Sequence, residues 1–314
     1  NGEPRVNDVA GCGPAADRHA QDTAWRDDGA GGEVHHDEWG CLWRRSQGHV
    51  DKGEVVDPPL KDWAALDTYK LPTLDDPARY QHLTEVRDKH EDRYLLGNLH
   101  GCAFNYARYL RGMEQYLADC AGEPEQIVRL NRMLNELAVA QVDLYADAGC
   151  DGVMIGEDWG TENQLLVSPP MWQRFFRPDF ERLVGYAHYR GVTFWMHCCG
   201  YVVDIIPALV EIGVDVFQFD QPELSGLDFL SRFDCTYWSP VDIQRTLPKG
   251  NKAVIRESAR EMLATLAARG GGFIAKDYPD NTSIGVDPLW QHWGYEVFTS
   301  EGHYEHGRLK SPTK

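Results

Sequence analysis

The 314-residue chain is 42% hydrophobic and 25% charged, which suits a globular protein with a sizeable core. Its 31 Lys and Arg stand against 49 Asp and Glu, and the formal charge of −18 argues against nucleic acid or an anionic membrane as partner, because phosphate binding needs clustered cations. No stretch approaches the ~20 consecutive apolar residues of a membrane span, and no leader-like segment opens the sequence, so a cytoplasmic location is expected.

The chain begins Asn1-Gly2-Glu3, which reads as an N-terminally incomplete sequence. Residues 1–90 are expected to be irregular: a weak strand at 6–10, a short hairpin strand at 37–43 (DEWGCLW), then a proline-punctuated excursion with one short helix around Trp63. From residue 91 to about 300, short apolar runs alternate with amphipathic stretches. Strands are expected at 93–99, 152–156, 192–196, 214–219, 236–239 and 272–275. Helices are expected at 104–119, 123–148, 170–189, 202–212, near Leu227, at 252–269 and at 288–299, with Pro124 starting and Gly149 ending the second of them.

Apolar runs without alternation are what a parallel strand covered on both faces requires, and strand–helix repetition makes this an α/β protein. No Gly-rich phosphate turn follows the first strand, which disfavours a doubly wound sheet. The expectation is a single (β/α)8 barrel domain spanning 1–314, with seven strands legible and an eighth missing upstream.

In a barrel the chemistry gathers after the C-terminal ends of the strands. The residues there are His100; Glu157, Asp158 and Trp159; His197, Cys198, Cys199 and Gly200; Gln218, Asp220 and Gln221; Asp242 and Gln244; and Lys276, Asp277 and Tyr278. His197 and Cys199 are two apart and project to the same side, so they can supply two zinc ligands, while Cys198 faces the helix layer and packs. Of the adjacent Glu157 and Asp158, one at most faces the barrel axis, and Asp158 is taken as the one that does. The eight cysteines are too scattered for a disulfide framework and are read as reduced thiols.

The stretches DGVMIGEDWGTENQLLVSPPMWQRFFRPDFERLV and HCCGYVVDIIPALVEIGVDVFQFDQPE resemble the uroporphyrinogen decarboxylase superfamily, which includes the decarboxylases proper and cobamide-dependent methyltransferases. The likeness runs from about Asp37 to about Phe298, most specifically at Ser168-Pro169, the HxCG segment and Gly271-Gly272. It implies a (β/α)8 barrel. In the methyltransferase branch the histidine and cysteine of HxC bind zinc with a second cysteine near the end of the seventh strand. Here that third position falls near Lys276 and holds no cysteine, so an oxygen ligand, Asp158 or Asp277, is expected to take its place.

The resulting expectation is zinc-dependent methyl transfer to or from a corrinoid carried by a partner protein. Zinc is assigned to His197, Cys199 and Asp277. Catalytic work is assigned to Asp158, Glu157 and Lys276, and contacts to a small-molecule substrate to His100, Trp159, Gln218, Gln221 and Asp242. Two alternatives stand beside it. One is a metal-free decarboxylase using Asp158 on a porphyrinogen or another acid, although the acidic rim would repel a polyanionic porphyrinogen. The other is a barrel that binds a ligand without chemistry.

Overall fold

Apolar runs of three to five residues form seven parallel strands, and each after the first pairs with the strand that precedes it in this sheet. The computed structural model describes residues 9–16, 24–48, 53–101, 103–305 and 308–309. Strand β1 (Val9–Cys12) is followed by a four-stranded antiparallel sheet, β2 (Arg26–Asp27), β3 (Gly32–His36), β4 (Leu42–Ser46) and β5 (Glu54–Asp57), then by helix α1 (Leu83–Lys89). The parallel sheet resumes with β6 (Tyr94–Asn98), and helices α2 (Ala103–Arg111), α3 (Met113–Gly122) and α4 (Pro124–Asp147) lead to β7 (Gly152–Gly156). Next come α5 (Pro169–Phe175), α6 (Arg177–Tyr189), β8 (Thr193–His197), α7 (Ile206–Ile212) and β9 (Val216–Gln218). The short α8 (Pro222–Ser225) and α9 (Leu227–Leu230) precede β10 (Thr236–Ser239), α10 (Lys252–Leu266), β11 (Phe273–Ala275) and α11 (Pro288–Glu301).

The strand order β1-β6-β7-β8-β9-β10-β11 never reverses, which is the winding of a barrel and excludes a doubly wound sheet with its switch point. The sheet also curls. Val9 of β1 and Ile274 of β11, on opposite edges, both pack against the same inner cluster of Leu96, Trp195 and Val216, joined by Tyr94, Met154 and Trp238. Among the described residues β1 and β11 do not pair, so the expected closed eight-stranded barrel is a seven-stranded open one here. The strand expected at 6–10 lies at Val9–Cys12, and residues 6–8 fall outside the described part.

Local chemistry sets the element ends. Pro124 occupies the first turn of α4, where its missing N–H costs no hydrogen bond. Ser168 caps α5 by accepting from the Met171 amide, and Asn251 caps α10 by accepting from Ala253 and Val254. Two helices expected to be continuous are broken. Gly112, at φ 85°, separates α2 from α3, and the helix expected at 170–189 divides at Phe176, two residues before Pro178, whose ring disfavours a continuing helix.

The hairpin strand expected at 37–43 is mostly a turn. Asp37 Oδ1 accepts from the amides of Trp39 (3.0 Å) and Cys41 (2.8 Å) while Oδ2 accepts from the Trp43 indole (2.7 Å), so the chain reverses between β3 and β4. No helix among the described residues is long and apolar enough to cross a membrane.

Candidate metal centre

Pairing aligns Gly156, His197, Gln218, Trp238 and Ile274 across adjacent strands as one layer of the sheet's inner face. Side chains alternate between faces, so two residues further on the chain presents Asp158, Cys199, Asp220 and Lys276 above this layer. The intervening Glu157, Cys198 and Trp159 turn to the helices. The site is therefore a product of strand register.

Asp158, His197 and Cys199 converge: one donor atom from each lies within 4.8 Å of the other two. His197 Nε2 is 3.3 Å from Cys199 Sγ and 3.6 Å from Asp158 Oδ1. Ligand bonds of ordinary zinc length at tetrahedral angles give edges of about 3.3–3.6 Å, which the two edges that meet at His197 match. Its outer side is open, the Asp158 side chain being 34% and that of His197 22% exposed. A nitrogen, a sulfur and an oxygen with one free side make a donor set suited to a catalytic zinc.

The loops that carry the ligands are locked together. Gly200, at φ 80°, and Gly160 touch backbone to backbone, and a Cβ on Gly200 would lie 2.4 Å from the Gly160 carbonyl oxygen. Tyr201 donates its amide to the Thr161 carbonyl at 2.7 Å, and the Cys199 amide donates to Asp158 Oδ1 at 3.2 Å. On the other side of Asp158, Asn105 Nδ2 donates to Oδ2 at 3.3 Å and Arg108 Nη2 stands 3.7 Å away. Asn105 and Arg108 lie three residues apart on α2 and thus on one face. That spacing was the available sequence signal for two residues that strand-end reasoning missed.

His197 is held from behind. Its Nδ1 meets the side-chain oxygen Oε1 of Gln218, Gln218 Nε2 donates to Asp220 Oδ1 at 2.9 Å, and Lys276 Nζ donates to the same Asp220 oxygen at 2.8 Å. Burial pushes the Cys199 thiol up to about 12, helped by the negative charges of Asp158 and Asp220 and opposed by Lys276. The thiol accordingly keeps its proton at neutral pH unless a cation takes its place.

The other residues singled out from sequence have diverse positions. Glu157 is fully buried, and its oxygens accept from the Phe104 amide (2.9 Å) and the Asn105 amide (2.7 Å), so it caps α2 and has no free oxygen for catalysis. Burial pushes its carboxyl up to about 8 against the downward pull of these two amides. Trp159 is wholly buried among Trp172, Phe176, Phe180 and Phe104, where no substrate reaches it. Asp242 is also fully buried and accepts from the amides of Glu223, Gln244 and Arg245, which makes it a loop brace.

Asp277 is not among the converging donors. It is half-buried beside the charges of His292 and Lys276, and follows Lys276 by one residue, out of phase with the inner layer. Lys276 is engaged by Asp220 and lies over the Trp238 ring at 5.2 Å. Gln218 is buried between His197 and Asp220, whereas Gln221 accepts from the Gly200 amide at 3.3 Å. His100 is clamped at its backbone by Gln141, its Nδ1 3.4 Å from the Tyr106 hydroxyl.

A singly wound parallel sheet with an Asp–His–Cys cluster at its C-terminal end defines a barrel-type α/β protein with a candidate metal centre. The uroporphyrinogen decarboxylase (URO-D) family model matches residues 48–276, well over half the chain, and the protein belongs to that family. Among solved structures, a methyltransferase from Methanosarcina mazei superimposes with a TM-score of 0.61 at 15% identity, covering 84% of this chain and 76% of that one, which shows a shared fold. A D-tagatose 3-epimerase-like protein (TM-score 0.44, 12% identity, 73% of this chain and 86% of that one) is more distant. So is xylanase 10B from Thermotoga maritima (TM-score 0.42, 12% identity, 71% and 79%). No curated protein sequence matches the chain significantly.

Proposed function

We propose that the protein is a zinc-dependent methyltransferase that passes a methyl group to or from a corrinoid held on a separate protein, with Asp158, His197 and Cys199 as its zinc ligands. The observation that carries this reading is the convergence of those three donors with one side open. The likeness of the fold to a methyltransferase and the family match agree with it. The oxygen ligand in this proposal is Asp158, and Asp277 has no part in it.

Zinc at this place would act as a Lewis acid, lowering the pKa of an acceptor thiol or polarising a methyl donor at the open position. The chain's own residues do the rest. Gln218 orients the His197 ring, Asn105 and the Cys199 amide hold the Asp158 carboxylate, and Cys199 gives up its proton to solvent when a cation binds. Arg108 balances part of the negative charge of the ligand set.

A metal-free decarboxylase is the second reading, favoured by the partly exposed Asp158 carboxylate with Arg108 at 3.7 Å. Zinc analysis separates the two. Purified protein should hold close to one equivalent, lost in His197→Ala, and should demethylate methylcobalamin in the presence of a thiol. Less than ~0.2 equivalents, unchanged in His197→Ala, would sink the zinc proposal. Carbon dioxide release from a porphyrinogen by the zinc-free protein, abolished in Asp158→Asn, would establish the second reading instead.

A further inference from the structure

We propose that Lys276, Asp220 and Gln218 are positioning residues that fix the proton of His197 on Nδ1, so that the end of the seventh parallel strand supplies orientation in place of a metal ligand. Its geometry is independent of the zinc reading, and its consequence for metal affinity rests on that reading.

The argument runs from the strongest charge inward. Lys276 and Asp220 form an ion pair at 2.8 Å with side chains only 11% and 8% exposed, a place where unpaired charge is costly. An aspartate paired with an ammonium accepts hydrogen bonds and donates none. The Gln218 amide, only 4% exposed and with Asp220 Oδ1 at 2.9 Å, must turn its NH2 toward that oxygen.

Its carbonyl oxygen is thereby presented to His197 Nδ1, and a carbonyl can only accept, so Nδ1 carries the proton. The lone pair is left on Nε2, the atom facing Cys199 Sγ and Asp158 Oδ1. Were the amide reversed, its NH2 would donate to Nδ1 and put the proton on Nε2, aimed at the other two donors. That form cannot bind a cation through Nε2. The charge on Asp220 is what makes the reversed form unfavourable, and Lys276 is what keeps that charge tolerable in the interior.

The tautomer is read directly from long-range proton–nitrogen correlations of zinc-free protein labelled with 15N-histidine, the His197 signals being assigned by their loss in His197→Gln. The wild type should show Nδ1 protonated and Nε2 with the lone pair. Asp220→Asn and Lys276→Met should shift His197 toward a mixture of tautomers and weaken zinc binding about 10- to 100-fold in chelator competition. Lys276→Arg should restore both. Gln218→Leu removes the acceptor while leaving the ion pair, and should give the same losses even if Lys276→Met does not fold. Unchanged tautomer in Asp220→Asn and Gln218→Leu would overturn the proposal. A wild type that takes up no zinc would overturn the metal reading while the tautomer comparison still decides this one.

Discussion

At the C-terminal ends of β7, β8, β9 and β11 the inner face carries Asp158, His197 with Cys199, Gln218 with Asp220, and Lys276, drawn together by hydrogen bonds from β7 to β8, from β8 to β9 and from β11 to β9. At the N-terminal ends of β6, β8, β9 and β11 a cavity of about 1010 Å³ opens between Tyr94, Thr193, Trp195, Val216 and Phe273. The cavity is the obvious feature by volume, but its polar groups are already engaged. Asp215 accepts from the Phe194 amide at 2.7 Å and faces His188 at 2.8 Å, and the Tyr94 hydroxyl donates to the Asp151 carbonyl at 2.9 Å. Convergent donors with an open side, rather than empty space, distinguish the end suited to chemistry.

The sharpest way to break this contrast is to separate the two ligand-bearing loops. Gly200→Ala places a Cβ 2.4 Å from the Gly160 carbonyl oxygen on a backbone at φ 80°, so both the clash and the conformation are unfavourable. A loss of about 3 kcal/mol is expected by urea titration, together with loss of the Asp158–Cys199 geometry and of zinc uptake. Normal zinc uptake in this variant would show that the loop crossing does not set the site.

Glu157→Gln tests the division of labour between adjacent carboxylates and should cost less. The glutamine NH2 would face one of the two α2 amides that Glu157 now satisfies, a loss of about 1–3 kcal/mol. The pH dependence carries the sign. Because burial lifts the Glu157 carboxyl from 4.5 to about 8 in the folded protein, the unfolded chain gives up this proton first. Its contribution to stability is full below the unfolded pKa and falls as pH rises to about 8. The deficit of Glu157→Gln should therefore be largest in acid and shrink toward pH 8. A deficit that grows with pH would show that Glu157 caps α2 as a stabilised carboxylate.

Much of this architecture is legible in the sequence because each strand is a local apolar run and each helix a local periodicity. All seven parallel strands have a counterpart in the apolar runs, and HxC places His197 beside Cys199 from the pleat alone. What was not legible depends on partners distant in the chain. Gln218 meets His197 only because β8 and β9 pair in a particular register, and Glu157 is occupied only because α2 brings its N-terminus back over β7. Residues 37–43 alternate as a strand would, but the Asp37 side chain captures two amides and makes a turn. Strand-end position put Asp277 in the zinc set, whereas the three-dimensional grouping puts Asp158 beside His197 and Cys199.

The smallest effect belongs to the other end of the sheet. Val216 lines the cavity and packs with Leu96 and Trp195, two residues before Gln218 on the same strand face. Val216→Ala removes two methyl groups from a wall that already borders open volume, so there is little close packing to lose and a cost of about 1 kcal/mol is expected. Zinc content and the His197 tautomer should not change, because the ion pair and the amide that orient His197 lie beyond the layer Val216 supports. If this substitution lowered zinc affinity, the two ends would be mechanically coupled through β9, and the barrel interior between Val216 and Gln218 would have to be counted as part of the site.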